Sequence, residues 1–161
     1  MSYVLGSRSR KNLEGVHPLL VQVVEAAIKI TVQDFTVIDG VRTIAEQQEY
    51  VRRGVSKTMN SKHLPQADGY SHAVDLVPHI NGKIRWEWPA MYPIALAMAE
   101  AGRGLSAPIR WGGFWAMISP VADRPFITTQ AIEGSVHAYV DERRKAGKKA
   151  FIDGPHYELR F

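Results

Sequence analysis

The stretch Ala73-Val74-Asp75-Leu76-Val77 places a single carboxylate inside an otherwise apolar run. A short apolar run rich in β-branched residues predicts a buried strand. A carboxylate in such a strand is costly unless an opposite charge or a metal ion compensates for its burial. The sequence therefore predicts that Asp75 binds a metal ion or, as the alternative, forms a salt bridge with an arginine such as Arg42.

Two histidine motifs lie on either side of this strand. Ser61-Lys62-His63 precedes it, and Asp153-Gly154-Pro155-His156 follows it near the C-terminus. The chain contains no cysteine, so only His, Asp and Glu remain as zinc ligands. Two imidazoles and one carboxylate supply three ligands, the number that leaves a catalytic zinc ion one open position. We therefore expect a catalytic zinc site that includes Asp75.

Two residues compete for the first histidine position in this site. His72 lies three residues before Asp75 and is in reach of the same ion, whereas His63 has the Ser-x-His context that favours it. Three further histidines have no partner at a suitable spacing, and we interpret them as structural: His17, His79 and His137.

Two carboxylates accompany His156. Asp153 lies three residues before it and is available as the general base that a zinc-activated water needs. Glu158 alternates with His156 along a predicted final strand, so both side chains lie on one face. Glu158 then either orients His156 or forms an ordinary salt bridge.

Arginine and aromatic residues suggest a substrate cleft. Arg42 precedes a predicted helix, and its planar fork suits a substrate carboxylate, with a structural ion pair as the alternative. Trp111-Gly112-Gly113-Phe114-Trp115 either lines a cleft or belongs to the core. The same two interpretations apply to Trp86 and Trp88.

Length and composition indicate one globular domain, residues 1–161. Apolar residues make up 45% and charged residues 22%, which excludes a disordered chain. Residues 1–11 are polar and basic, and the most apolar segment, 19–30, contains Gln22, Glu25 and Lys29. We therefore expect neither a signal peptide nor a membrane span.

The net charge of +4 and the pI of about 9.4 favour anionic polymers as partners. Nucleic acid, teichoic acid, lipopolysaccharide and peptidoglycan all fit this criterion. The basic run at 143–149 is either a solvated surface or part of a face that binds an anionic wall.

The order of predicted elements indicates an α+β domain with a small, mostly antiparallel sheet. Hydrophobic periodicity predicts helices over 12–30, 43–53, 92–101 and 129–145, and strands over 35–39, 73–77, 109–111 and 156–161. Thr43 and Glu46 form a predicted capping box at the start of the second helix. Residues 55–72 are predicted to be a loop, and Asn81-Gly82 a turn.

These motifs together resemble a known family, the zinc peptidases that act on bacterial peptidoglycan peptides. Its members include D-alanyl-D-alanine carboxypeptidases and phage L-alanyl-D-glutamate endopeptidases. The resemblance covers residues 13–161 and rests on the following residues: Gly40-Val41-Arg42-Thr43, Gln47, Gly54, Ser56, Thr58, Ser61, His63, Ala73-Val74-Asp75-Leu76, Trp111-Gly112-Gly113, Asp153 and His156-Tyr157-Glu158-Leu159.

The resemblance implies a set of site residues and a fold. Zinc would be bound by His63, Asp75 and His156, and Asp153 would be the catalytic base. Arg42 and Ser61 would lie near the substrate or the metal. The implied fold is the small α+β fold shared with D-alanyl-D-alanine peptidases and the hedgehog signalling domain.

The resemblance also implies a function. The compact size and the missing signal peptide look like a phage endolysin that cuts the L-alanyl-D-glutamate bond. Its partner would be the peptide stem of peptidoglycan, with no nucleic acid, no stable membrane insertion and a monomeric state. The enzyme would stay in the host cytoplasm until release to the wall. Alternatives are a D-alanyl-D-alanine carboxypeptidase or dipeptidase, and a non-catalytic peptidoglycan-binding module, against which the retention of Asp153 argues.

Two departures from the family pattern stand out. Asp75 follows His63 by twelve positions (75 − 63), a longer separation than the family usually shows. The extra residues, near 65–70, would form a loop insertion, and they keep His72 open as a ligand. The segment 117–151 is also long for a minimal enzyme, and would form a lid or a wall-binding face.

Overall fold

An antiparallel sheet forms the centre of the fold in a computed structural model that describes residues 2–120 and 128–161. In this part of the chain the strand order is β1-β2-β6-β4-β5, and β3 pairs with β2. The strands are β1 Phe35–Asp39, β2 Ala73–Ile80, β3 Lys83–Ile84, β4 Ile109–Trp111, β5 Ala116–Ser119 and β6 His156–Leu159. The helices are α1 Ser7–Asn12, α2 Pro18–Ile30, α3 Ile44–Arg52, α4 Trp88–Gly104 and α5 Thr129–Lys145. The predicted α+β fold with a small antiparallel sheet is confirmed.

The register of three neighbouring strands aligns polar residues on one face of the sheet. Asp75 in β2 is the Cα partner of Asp39 in β1 and of His156 in β6. Directly opposed residues of antiparallel strands point to the same face. The row Asp39, Asp75 and His156 therefore crosses the sheet from β1 to β6.

The other face of the sheet carries the core. Side chains alternate along a strand, so the neighbours of Asp75 and His156 point away from them. Val74, Leu76 and Tyr157 are fully buried with Trp111 of β4. Helix α4 packs on β2, β4 and β5 and against α2. One sheet thus separates an apolar core from a polar face.

Local sequence signals fix several of the elements. The predicted capping box is confirmed, since the Thr43 side chain accepts a hydrogen bond from the Glu46 N–H and the Glu46 carboxylate accepts one from the Thr43 N–H. The Asn81-Gly82 turn joins β2 to β3, with both residues at positive φ. The helix over 129–145 is confirmed as α5, with Thr128 as its N-cap.

The predicted helix over 12–30 is wrong in its first third. The chain instead forms α1, a turn, and then α2 starting at Pro18. Gly15 has φ +80°, and Val16 forms a parallel bridge with Ser71, so neither residue is helical. Proline also disfavours the helical conformation in His17, the residue before it.

Other boundaries also shift. Helix α4 begins at Trp88, one turn before the predicted start at 92, because Pro89 is tolerated in a first turn. Strand β2 runs three residues beyond 77, and β6 ends at Leu159. Strand β5 was not predicted, because its residues, Ala-Met-Ile-Ser, do not alternate between apolar and polar side chains.

The two family departures take defined positions. The insertion after His63 folds back on itself through an antiparallel bridge between Pro65 and Ser71, as expected for a loop. The segment 117–151 contains the end of β5 and all of α5, but residues 121–127 lie outside the described part. None of the described helices is long and apolar enough to cross a membrane.

Candidate metal centre

Two imidazoles meet one carboxylate on the polar face of the sheet. His63 Nε2 lies 3.2 Å from Asp75 Oδ1, and His156 Nδ1 lies 3.4 Å from the same oxygen. The side chains of His63, Asp75 and His156 are 1%, 14% and 10% exposed. The three residues that the sequence analysis selected as candidate ligands therefore lie together in the structure, and they could bind a metal ion.

The spacing of these atoms fits zinc. Tetrahedral zinc with ligand bonds of 2.0–2.1 Å separates its ligand atoms by about 3.3 Å. The two nitrogen–oxygen distances of 3.2 and 3.4 Å agree with that separation. All three ligand atoms lie within 4.8 Å of one another, so His63, Asp75 and His156 could converge on one ion.

Hydrogen bonds on the far side of each ring direct the correct nitrogen to the centre. His63 Nδ1 lies 2.7 Å from the Gly40 carbonyl oxygen, which can only accept, so Nδ1 carries the hydrogen. His156 Nε2 lies 3.0 Å from Glu158 Oε1 and donates to it in the same way. In the neutral rings that metal ligation requires, the lone pairs of His63 Nε2 and His156 Nδ1 then face Asp75.

Glu158 takes the orienting role, and it also forms an ion pair. Besides His156, its carboxylate contacts Arg160 Nη1 at 3.4 Å. Burial raises the pKa of Glu158, but the hydrogen bond from His156 and the charges of Arg110 and Arg160 outweigh it and lower the pKa. Glu158 is thus held ionised beside the ring it orients.

The electrostatics of the centre favour a cation. Burial alone would raise the pKa of Asp75, but His63 and His156 outweigh it and hold the pKa well below its usual range. Burial likewise lowers the pKa of His156, yet Asp75 and Glu158 outweigh it and raise the pKa to about 10. Asp153 raises it further. Positive charge is therefore stabilised at the point where the ligand atoms converge.

Arg42 is engaged by the protein. Its Nε donates to Asp39 at 2.6 Å, Nη1 donates to Gln47 at 3.0 Å, and Nη2 donates to Asp75 at 3.3 Å. Its guanidinium also lies 4.5 Å from the centre of the Tyr50 ring. The structural ion pair that the sequence allowed is present, and a contact of Arg42 with substrate stays a prediction.

Ser61 supports His63. Its hydroxyl accepts a hydrogen bond from the His63 N–H at 3.2 Å, and its carbonyl accepts one from Leu64. Ser61 is 8% exposed and lies at the wall of the cleft. It therefore shapes the turn that presents His63.

His72 belongs to a different group. Its Nε2 lies 2.7 Å from Asp68 Oδ2, and its ring packs against His17. His17, Asp68 and His72 also converge closely enough to suggest a metal site. However, His17 Nδ1 accepts the Leu19 N–H at 3.0 Å, so in neutral His17 the proton sits on Nε2, the atom nearest Asp68. This group therefore lacks a third lone pair for a metal ion.

Asp153 lies in the cleft beside the centre. Its N–H donates to the Gly112 carbonyl at 2.9 Å, and its carbonyl accepts the His156 N–H at 3.1 Å. Burial and the nearby charge of Asp75 raise the pKa of Asp153 to about 6, against the opposing charges of His156, His63 and Arg42. A carboxylate with this pKa is still ionised at neutral pH and is a better proton acceptor than an ordinary aspartate.

A cleft of about 1120 Å³ opens over the centre. Trp86, Trp115 and Phe151 lie along it, whereas Trp111 and Phe114 are buried in the core. The aromatic motif at 111–115 thus serves both interpretations, with only its last residue at the cleft. Trp88 packs against the core.

Sequence reasoning missed three contributors. Gly40 acts through its backbone carbonyl, and the residue type does not reveal the role of a backbone group. Asp39 was not singled out, because its alignment with Asp75 arises from the register between two distant strands. Arg110 was treated as a strand residue, and its alternation with the buried Ile109 and Trp111 was the available signal.

Comparison with known proteins places the chain among peptidases. The family model described as phage L-alanyl-D-glutamate peptidase matches residues 1–137. The L-alanyl-D-glutamate peptidase of Escherichia phage T5 is 34% identical over 119 residues, covering 71% of this chain and 83% of that protein. The crystal structure of the Serratia marcescens L-Ala D-Glu endopeptidase ChiX is similar with a TM-score of 0.68 and 33% identity, covering 96% of this chain and 88% of that one.

Alanine at His63, Asp75 or His156 should abolish stoichiometric zinc binding, because each change removes one of three ligands. Zinc content after dialysis against trace metal measures this directly. His72→Ala is the matched control and should retain one zinc ion per chain. Zinc kept by His63→Ala and lost by His72→Ala would contradict the ligand assignment.

Gly112→Ala should destabilise the protein by about 1–3 kcal/mol, the usual cost of overpacking. A Cβ at Gly112 would overlap the Asp153 backbone carbonyl, whereas one at Gly134 in α5 would meet nothing within 4 Å. Gly134→Ala should therefore be neutral or stabilise by up to about 1 kcal/mol. Urea unfolding of both variants provides the comparison, and equal stabilities would refute the close packing of Gly112 on Asp153.

Proposed function

The chain belongs to the phage L-alanyl-D-glutamate peptidase family, and we propose that it is a zinc peptidase that hydrolyses the L-alanyl-D-glutamate bond of peptidoglycan as a phage lysis enzyme. The observation that carries the proposal is the convergence of His63, Asp75 and His156, at zinc spacing, in a cleft that also contains Asp153. A site built only to bind a wall polymer would need no such constellation.

His63 Nε2, Asp75 Oδ1 and His156 Nδ1 are the atoms that we assign to the metal. A zinc ion with three protein ligands supplies Lewis acidity that activates water and polarises a carbonyl group. The protein holds the ligands in place through Gly40 and Glu158. Arg42 restrains Asp75 from the opposite side.

Asp153 is the proposed general base. It accepts a proton as water attacks the scissile carbonyl, and it returns a proton to the amino group of the departing D-glutamate. Its partly buried position and raised pKa suit both transfers near neutral pH. The contacts with Gly112 fix its backbone at the cleft wall.

Substrate reaches the centre through the cleft. Arg42 and Ser61 line it next to His63, and we propose that they lie at the border between the substrate and the ligand set. The net charge of +4 favours accumulation of the enzyme on the anionic envelope. We further propose that the single domain acts as a monomer, remains in the host cytoplasm until release, and neither binds nucleic acid nor inserts stably into the membrane.

Asp153→Asn should retain zinc and the folded state and lose turnover by a hundredfold or more, on the order of the contribution of general base catalysis. The amide keeps the size of the side chain but cannot accept a proton at its nitrogen. Turnover of purified peptidoglycan and zinc content should be measured together. Asp141→Asn removes the same charge at an exposed position in α5 and should leave turnover and zinc content unchanged. Near-normal turnover by the zinc-loaded Asp153→Asn variant would rule out the base.

Digestion of purified peptidoglycan should release muropeptides with a new D-glutamate amino terminus, detectable by mass spectrometry. The His156→Ala variant provides the blank digest. Release of D-alanine as the only product would instead support a D-alanyl-D-alanine carboxypeptidase. Binding to the wall with no new terminus would support a non-catalytic module.

A further inference from the structure

Arg110 occupies a position in the cleft that the proposed mechanism does not use. It lies in β4 as the Cα partner of Glu158 in β6, and Glu158 is two residues from His156 on the same face. The side chain of Arg110 is 31% exposed and lines the cleft. Its guanidinium is therefore on the same face of the sheet as the ligand set, one strand beyond His156.

We propose, on the premise of the proposed function, that Arg110 binds the α-carboxylate of the D-glutamate residue that follows the scissile bond. The enzyme would then prefer peptide stems in which this carboxylate is free over stems in which it is amidated. The D-glutamate continues the stem through its γ-carboxyl group, so its α-carboxyl group remains next to the bond that is cut. Arg110 thereby becomes a determinant of specificity.

Trp115 holds Arg110 at two points. Its carbonyl accepts the Arg110 Nε–H at 3.2 Å, and the guanidinium lies 5.1 Å from the centre of its ring. The ring of Trp115 lies 5.5 Å from that of His156 and stacks on Phe151, whose carbonyl accepts the indole N–H at 2.8 Å. The stacked rings of Trp115 and Phe151 thus form a platform, and Arg110 is fixed between this platform and the ligand set.

The platform itself is conformationally strained. Trp115 has φ +52°, in the left-handed region that bulky residues rarely adopt. Such a conformation persists only when the surroundings enforce it, and it is concentrated at functional sites. In this turn between β4 and β5 it directs the Trp115 carbonyl toward Arg110.

The terminal nitrogens of Arg110 remain available for a ligand. Within the described residues, the carboxylate that pairs with them is that of Glu158, and its distance of 4.0 Å is too long for a hydrogen bond. The oxygens of Glu158 already accept from His156 and Arg160. Arg42, in contrast, donates to three side chains. Arg110 is thus better placed than Arg42 to bind a carboxylate of the substrate.

The chemistry of the fork predicts discrimination. A guanidinium binds a carboxylate through two parallel charge-assisted hydrogen bonds. A primary amide offers one acceptor oxygen and no charge, so it loses one bond and the charge pairing. Losing one hydrogen bond to a charged group corresponds to a preference for the free acid over the amide of about tenfold to a hundredfold.

The test compares two peptides that differ only at this group. Both contain acetyl-L-alanyl-D-glutamate extended through the γ-carboxyl, with the α-carboxyl free in one and amidated in the other. We expect the wild-type enzyme to show at least a tenfold higher kcat/KM for the free acid. Arg110→Gln should bring the ratio to within about twofold of unity, and Arg110→Lys, which keeps the charge but not the fork, should give an intermediate ratio.

Arg53→Gln is the matched control, because Arg53 lines the same cleft and the change removes the same charge. It should keep the wild-type ratio. A wild-type ratio near one would overturn the inference, and so would an Arg110→Gln variant that loses activity equally on both peptides, since Arg110 would then only position Glu158. Failure to cut either peptide at the L-alanyl-D-glutamate bond would overturn the proposed function and this inference with it.

Discussion

The ionised carboxylate of Asp75, largely shielded from solvent in the second strand of the sheet, is the constraint on which the polar face depends. Burial of such a group is costly unless partners compensate for it. His63 and His156 contact one of its oxygens, and Arg42 donates to the other. These partners come from three separate segments of the chain, so the compensation of a single charge holds a loop, a strand and a helix start in one arrangement.

A second layer of contacts fixes those partners. The Gly40 carbonyl oxygen accepts hydrogen bonds from His63 Nδ1 at 2.7 Å and from the Ser71 hydroxyl at 3.1 Å. A side chain at Gly40 would overlap the Asn12 carbonyl, so glycine is required for this approach. On the other side, Glu158 orients His156 from within the same strand. Each ring is therefore held by a group that leaves only one of its nitrogens free for a ligand role.

The sequence predicted the parts of this arrangement that depend on residue type and local pattern. Thr43 and Glu46 signalled a capping box, and Asp75 stood out because a charge interrupts an apolar strand. The register that aligns Asp39 with Asp75 arises from pairing between distant segments, so local periodicity could not show it. The break between α1 and α2 depends on the bridge from Val16 to Ser71, which is likewise a tertiary contact.

The hydrogen bonds that close the insertion between His63 and Asp75 bring these two residues together despite their separation along the chain. The Arg42 N–H donates to the His63 carbonyl, and the His72 N–H donates to the Lys62 carbonyl at 2.8 Å, so both ends of the insertion are pinned beside the site. Its middle folds back through Pro65 and Ser71. The hydrogen bond from His72 to Asp68 braces this loop next to His17 at the start of α2. His72 thus stabilises the insertion and belongs to a different side-chain group from His63, Asp75 and His156.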